Sequence, residues 1–237
     1  MISVERAFDD PAIVSGITRV DLSILPWPGF TFAVSASASA EQVEQSYIEL
    51  AADLGIQRKM LRTVRQVHGV TVCDADDSCE SADAIYTKRR DLVIGVKLAD
   101  CCGVLIHDPI AGVVAAVHSG WRGTAGNIVG ATLHTLVDSM GANPSDVRVW
   151  LSPCASCSAY QVGTDVHNAL ERYCVPDGNR WFFDNRRAIV DQCVEMGVKR
   201  EKISVHPSCT ILETQWHSYR RNKELSGRML AFIGLRH

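Results

Sequence analysis

No window of this 237-residue chain approaches the roughly 20 apolar residues needed to span a bilayer. A cationic start leading into an apolar stretch is also missing. Glu5, Asp9 and Asp10 precede any apolar run, so the sequence reads without a secretion signal and points to a reducing, cytoplasmic setting. Strong charge of one sign is lacking too. The formal net charge is −3, and the basic runs Lys88-Arg89-Arg90 and Arg220-Arg221 are short, which argues against nucleic acid or an anionic membrane as the main partner. There is no repeat at solenoid or propeller periods, no low-complexity segment and no long linker. What remains is an ordinary globular composition, 46% apolar and 22% charged, with enough length for a sizeable core in one domain spanning 1–237.

Cysteine is plentiful, but a framework is not expected. Nine cysteines, an odd number, without a secretion signal argue against a disulfide scaffold, and most read as small buried apolar residues. Cys154-Ala155-Ser156-Cys157 is a lone CxxC without a second pair, so neither a separate zinc site nor a thioredoxin-like centre is expected there.

Periodicity supplies the elements. Val43, Tyr47, Leu50, Ala51 and Leu54 recur at helical spacing over 41–54, with Gly55 as a C′ residue. Short β-branched runs at 63–67, 70–73, 92–98 and 103–107 read as strands, and 30–34 could hold one more. Val113–His118 is apolar at nearly every position, the pattern of a strand buried on both faces. A long helix is expected from about Thr124 to Met140, stopped by Gly141 and Pro144. Strands at 147–151, 203–206 and 229–235 and helices at 164–173, opening on a Thr cap, and 186–196 complete the pattern. Strands and helices mix without strict alternation, which predicts an α/β fold with a mixed sheet covered by helices.

Three polar groups fall at strand ends beside glycines: Gln66-Val67-His68-Gly69, Ala99-Asp100-Cys101-Cys102 and His118-Ser119-Gly120-Trp121-Arg122-Gly123. Titratable groups at the ends of buried strands are costly unless paired or bound. Two imidazoles and a thiolate suit Zn²⁺, and three protein ligands leave a fourth position open, as in catalytic sites. Such an ion lowers the pKa of a coordinated water and polarises a leaving group. The same histidines would also suit hydrogen-bonded core positions. After His118, Gly120 and Gly123 let backbone approach a ligand, the helix start favours an anion, and Arg122 offers a forked clamp for phosphate or, equally, a surface ion pair. Asp100 reads as a general base, as an orienting carboxylate or as a turn cap. Cys102 would point away from Cys101 into the core. Trp121, Tyr160 and Gln161 are candidate pocket walls, Tyr219 is placed to stack on a flat base, and Arg220 or Arg221 to contact a ribose or phosphate.

Six segments in order, RQVHG (65–69), SADAIYT (81–87), ADCCGVLIHDP (99–109), VAAVHSGWRG (114–123), SPCASCSAYQVG (152–163) and CTILETQWHSYRRNKELSGRMLAF (209–232), resemble the multicopper polyphenol oxidoreductases, or laccase-domain proteins, now viewed as purine nucleoside phosphorylases. The resemblance implies zinc on His68, Cys101 and His118, with copper as the alternative that the older name suggests. It also implies a fold like the catalytic domain of a deamidating bacterial toxin. The implied chemistry is phosphorolysis of adenosine, inosine, guanosine and S-methyl-5′-thioadenosine, with adenosine deamination. Competing readings are a metal-independent cysteine hydrolase or deamidase using Cys101 and His118, and a nucleoside-binding relative without turnover. A coupled copper centre would need more histidines than these motifs supply.

Overall fold

A computed structural model describes residues 1–22, 25–77 and 79–236. In chain order its strands are β1 (Val4–Arg6), β2 (Ile13–Thr18), β3 (Leu61–Thr63), β4 (Val72–Asp74), β5 (Ala84–Thr87), β6 (Val93–Leu98), β7 (Cys102–Asp108), β8 (Val113–Ser119), β9 (Arg148–Leu151), β10 (Gln161–Val162), β11 (Cys174–Asp177), β12 (Arg180–Phe183), β13 (Ile203–Val205) and β14 (Met229–Leu235). The helices are α1 (Ala40–Asp53), α2 (Trp121–Ala125), α3 (Ile128–Met140), α4 (Thr164–Leu170), α5 (Asn185–Glu195) and α6 (Tyr219–Asn222).

The strands make a five-stranded sheet, β1-β2-β14-β6-β3, a six-stranded sheet, β13-β9-β7-β8-β5-β4, and a small three-stranded one, β10-β12-β11. Both large sheets are mixed: β3 runs parallel to β6, and β4 to β5, while β7 and β8 pair antiparallel. Side-chain alternation then sets the layers. In β8, Val114 and Ala116 join a core with Ile94, Val96 and Leu98 of the five-stranded sheet, while Val113, Ala115 and Val117 pack with Val129, Leu133 and Leu136 of α3. In β14, Ala231 and Ile233 face the inter-sheet core, while Leu230 and Phe232 meet Tyr47 and Leu50 of α1. The order is therefore α1, five-stranded sheet, six-stranded sheet, then α3 and α5. β7, β8 and β14 are buried at every position, and each reads as an apolar run, closed by His107-Asp108 in β7 and by His118-Ser119 in β8, because both faces are covered. Among the described residues, no helix is long and apolar enough to cross a membrane.

Several sequence expectations shift. The run at 63–67 ends as a strand at Thr63, because the chain leaves the five-stranded sheet there and the backbone N–H groups of Val67, His68 and Gly69 turn to the Asp83 carboxylate instead of a ladder. Residues 30–34 form no strand; Phe30 and Phe32 plug the core beneath α1. The long helix splits, since Asn127 adopts a left-handed φ of 60° and caps α3 anew. The helix at 164 is capped by Gly163 rather than Thr164, and it ends at Leu170. Cys73 and Cys79 are joined in a disulfide, where none was expected. The turn closed by the Asp77 N–H on the Asp74 carbonyl returns the chain towards β4, and a local pair six residues apart leaves no framework signature in the cysteine count.

Candidate metal centre and cationic pocket

The two large sheets exchange chain at one end of the sandwich. β3 hands over to β4, and β6 hands over to β7, and each crossing passes from the five-stranded to the six-stranded sheet. His68 lies on the first crossing, Cys101 on the second, and His118 near the end of β8 beside them. Their ligand atoms all lie within 4.8 Å of one another, with His68 exposed, Cys101 half-buried and His118 buried. The imidazole rings of His68 and His118 meet edge to face, 4.8 Å between centroids.

Asp83, fully buried on the run into β5, organises this cluster. Its Oδ1 lies 2.8 Å from His118 Nδ1 and accepts the His68 N–H at 2.9 Å. Its Oδ2 accepts the N–H groups of Gly69 at 2.7 Å and Val67 at 3.2 Å. Its own carbonyl accepts the His118 N–H at 2.7 Å. Burial by itself would raise the Asp83 carboxyl, but the His118 ring and the Gly69 and Val67 N–H groups outweigh it and hold it below the usual carboxylate range. With Nδ1 engaged, His118 turns Nε2 towards the cluster, the arrangement by which a carboxylate fixes a ligating histidine. Sequence reasoning quoted the SADAIYT segment but gave Asp83 no role. The signal was present, because a carboxylate inside an otherwise apolar run is expensive unless it is fully hydrogen-bonded.

Burial also works against the Cys101 thiolate, yet the His118 and His68 imidazoles outweigh that cost and pull the thiol down to about 6. Conversely, burial disfavours the charged His118 ring, but the Cys101 thiolate and Asp83 push it up to about 9. Each group thus favours the charged form of the other, the thiolate of Cys101 and the protonated ring of His118. Of the four non-glycine residues with left-handed φ among those described, two lie at this cluster, His68 at 61° and Asp100 at 82°. Gly120 is required for room: a Cβ there would sit 2.7 Å from Cys101 Sγ and 3.4 Å from His68 Cδ2. The donor set, the oriented His118 and the space left by Gly120 fit a single divalent ion such as zinc.

These groups line a cavity of about 560 Å³ together with Asp100, Trp121, Arg122, Tyr160, Tyr219 and Arg220, so the structure brings most candidate site residues to one wall or another. Gly120 and Gly123 stand behind the wall, where Gly123 packs near Ile128 and the Gly69 carbonyl. The helix expected to open at Thr124 opens at Trp121 instead. The Thr124 N–H is spent on the Gly120 carbonyl, so it is not a free donor for an anion. The Thr124 hydroxyl joins a buried network, 2.9 Å from Ser119 Oγ and donating to Asn185 Oδ1 at 2.6 Å, which ties α2 to β8 and α5.

Asp100 accepts the Thr210 hydroxyl at 2.7 Å and the Arg220 N–H at 2.6 Å, engaging both carboxylate oxygens. Arg220 donates to the Gln161 carbonyl and lies over the Tyr160 ring, while Arg122 lies over Trp121 with 4.2 Å to its centroid. Burial raises the Tyr160 hydroxyl, keeping it neutral as a pocket wall. The Tyr219 hydroxyl donates to Glu224 at 2.6 Å, leaving its ring half-exposed. Arg221 is spent on the carbonyls of Thr210, Ile211 and Trp216 and is structural. Sequence reasoning also missed Arg65, Lys97 and Arg228, which line the same cavity.

Residues 17–236 match the family described as multi-copper polyphenol oxidoreductase laccase. A Deinococcus radiodurans protein named purine nucleoside phosphorylase is 32% identical over 81% of this chain and 77% of that relative. The crystal structure of YlmD from Geobacillus stearothermophilus superposes with a TM-score of 0.85 at 27% identity, over 96% of this chain and 93% of that one. That of Bacillus licheniformis hypothetical protein YfiH gives a TM-score of 0.92 at 21% identity, covering 100% and 97%, and speaks for the fold.

Proposed function

This chain belongs to the multi-copper polyphenol oxidoreductase laccase family, and on that premise we propose that it is a zinc-dependent purine nucleoside phosphorylase acting on adenosine, inosine, guanosine and S-methyl-5′-thioadenosine, with adenosine deamination as a second activity. The observation that carries this reading is the convergence of His68, Cys101 and His118 on one wall of a cavity that also bears aromatic rings and cations. The purine nucleoside phosphorylase name of its relative points the same way.

In phosphorolysis a phosphate oxygen bonds to the anomeric carbon as the bond from that carbon to purine N9 breaks, and the electron pair leaves on the purine. Arg122 faces the cavity without a hydrogen-bonded partner among the described residues, and it supplies a guanidinium for the phosphate. Trp121, Tyr160 and Tyr219 offer flat faces to the base. Asp100 acts through position: it fixes the Arg220 backbone and the 210 turn at the cavity edge. Zinc, when bound, supplies Lewis-acid polarisation of a reacting oxygen.

Metal-loaded protein incubated with adenosine, with and without phosphate, and resolved by chromatography tests the proposal. Adenine with ribose-1-phosphate should form only with phosphate, and inosine should form in either case. Recovery of adenosine unchanged in both incubations would leave a binding protein without turnover. The closeness of Cys101 Sγ to the His118 ring favours one second reading, a cysteine hydrolase. Turnover that survives metal removal but vanishes in Cys101→Ala would favour it.

A further inference from the structure

The cavity carries more positive charge than its own side chains answer. Arg65, Lys97, Arg122, Arg220 and Arg228 line it, against one carboxylate, Asp100, whose oxygens already accept from Thr210 and Arg220. Arg65 and Arg228 donate only to neutral carbonyls, those of Glu80 and of Ser226 and Gly227, and the acidic groups that act on Arg228 through space, Asp100, Cys101 and Glu224, accept no hydrogen bond from it. Lys97 is the extreme case. Val96 and Leu98 enter the inter-sheet core, so the alternation of β6 turns Lys97 to the opposite face, where it lines the cavity. Its backbone is clamped by Gln66, which accepts the Lys97 N–H and donates to the Lys97 carbonyl, both at 2.8 Å. Its ammonium has no hydrogen bond or ion pair among the described residues, although the side chain is half-buried. Burial holds its pKa below the usual lysine value, and no acid compensates.

A half-buried ammonium without a protein partner, in a cavity lined by arginines, has lost part of its hydration and gains when an anion arrives. We propose that Lys97 is an anchor for the attacking phosphate, with Arg65 and Arg228, which line the same cavity, adding charge around it. The inference rests on the phosphorylase reading of this cavity. Lys97 stays protonated and forms no covalent bond; it holds a phosphate oxygen while another oxygen of the same phosphate meets the anomeric carbon.

The test is a phosphate titration of metal-loaded wild type, Lys97→Met and Lys97→Arg. Folding of each variant is checked by circular dichroism, and Lys97→Gln replaces Lys97→Met should the latter not fold. Loss of one charge-assisted bond should raise the KM for phosphate on the order of ten- to a hundredfold. The KM for inosine should move less than about twofold, and Lys97→Arg should recover most of the loss. An unchanged phosphate KM in folded Lys97→Met, or an equal rise in both KM values, overturns the proposal. Calorimetric binding of inorganic phosphate separates it from the wider reading. Binding by wild type that is lost in Lys97→Met supports the anchor even if no nucleoside is cleaved. Equal binding by both proteins overturns it even if phosphorolysis is seen.

Discussion

At Gly120 the side chain matters by its absence. Any Cβ would press on Cys101 Sγ from 2.7 Å, and that sulfur is held between two imidazoles, so it cannot yield without leaving the cluster. Gly120→Ala should therefore keep the fold and lose metal, read as metal content per chain beside an unchanged far-ultraviolet dichroism spectrum. Asp83 is the converse, a side chain whose removal is felt twice. Asp83→Asn keeps the volume but removes the charge that faces His118 and leaves fewer acceptors for the N–H groups of Val67, His68 and Gly69. A loss of about 2–4 kcal/mol in denaturant unfolding is expected, with metal affinity weakened by roughly 10–100-fold. The sign of the pH dependence follows. The folded carboxyl is held below its unfolded value, so its contribution is present above the unfolded pKa and disappears as pH falls through the folded one. The stability gap between wild type and Asp83→Asn should thus narrow below about pH 4.

At the scale of elements, the break between α2 and α3 is the test case. Asn127 holds φ at 60°, and its side-chain oxygen accepts the Gly130 N–H at 3.1 Å. Asn127→Ala loses the cap and strains the left-handed residue, an expected cost of about 1–2 kcal/mol in thermal unfolding, while Asn127→Gly should cost only a few tenths. Such a break was not legible in the sequence, because Ile128, Val129, Leu133 and Leu136 continue the helical period to its edge while Gly126 and Asn127 offer two weak signals. Strands buried on both faces, such as Val113–Ser119 and Met229–Leu235, were legible as apolar runs. β1, β2 and the β11–β12 hairpin were not, since β1, β11 and β12 have only three or four positions in which to show a period, and Ser15 and Gly16 interrupt β2 although it lies inside the sheet. In the site, His68, Cys101 and His118 stood out as polar groups at strand ends. Lys97 hid inside a run that otherwise reads as core, and Asp83 hid inside one that went unassigned.

For the molecule as a whole, the ligand cluster is a clasp between its two large sheets. His68 and Cys101 sit on the two crossings that pass from the five-stranded to the six-stranded sheet, and His118 belongs to the six-stranded sheet itself. An ion held by all three closes the end of the sandwich, and the unfolded chain cannot present these residues together because they are spread from position 68 to position 118. Binding to the native state alone stabilises by mass action, about 2.7 kcal/mol when free metal is 100 times its dissociation constant. For a chain of this length that corresponds to a rise of roughly 5–10 °C in unfolding midpoint. Scanning calorimetry of chelator-stripped protein with stepwise zinc should show that rise, growing with the logarithm of free metal. Cys101→Ser should unfold near the stripped wild type and respond little to zinc, because a hydroxyl replaces the thiolate while the two crossings keep their hydrogen bonds to Asp83 and Thr210. An equal zinc response in Cys101→Ser would place the ion elsewhere, and a stripped protein as stable as the loaded one would mean that the sheets hold without the clasp.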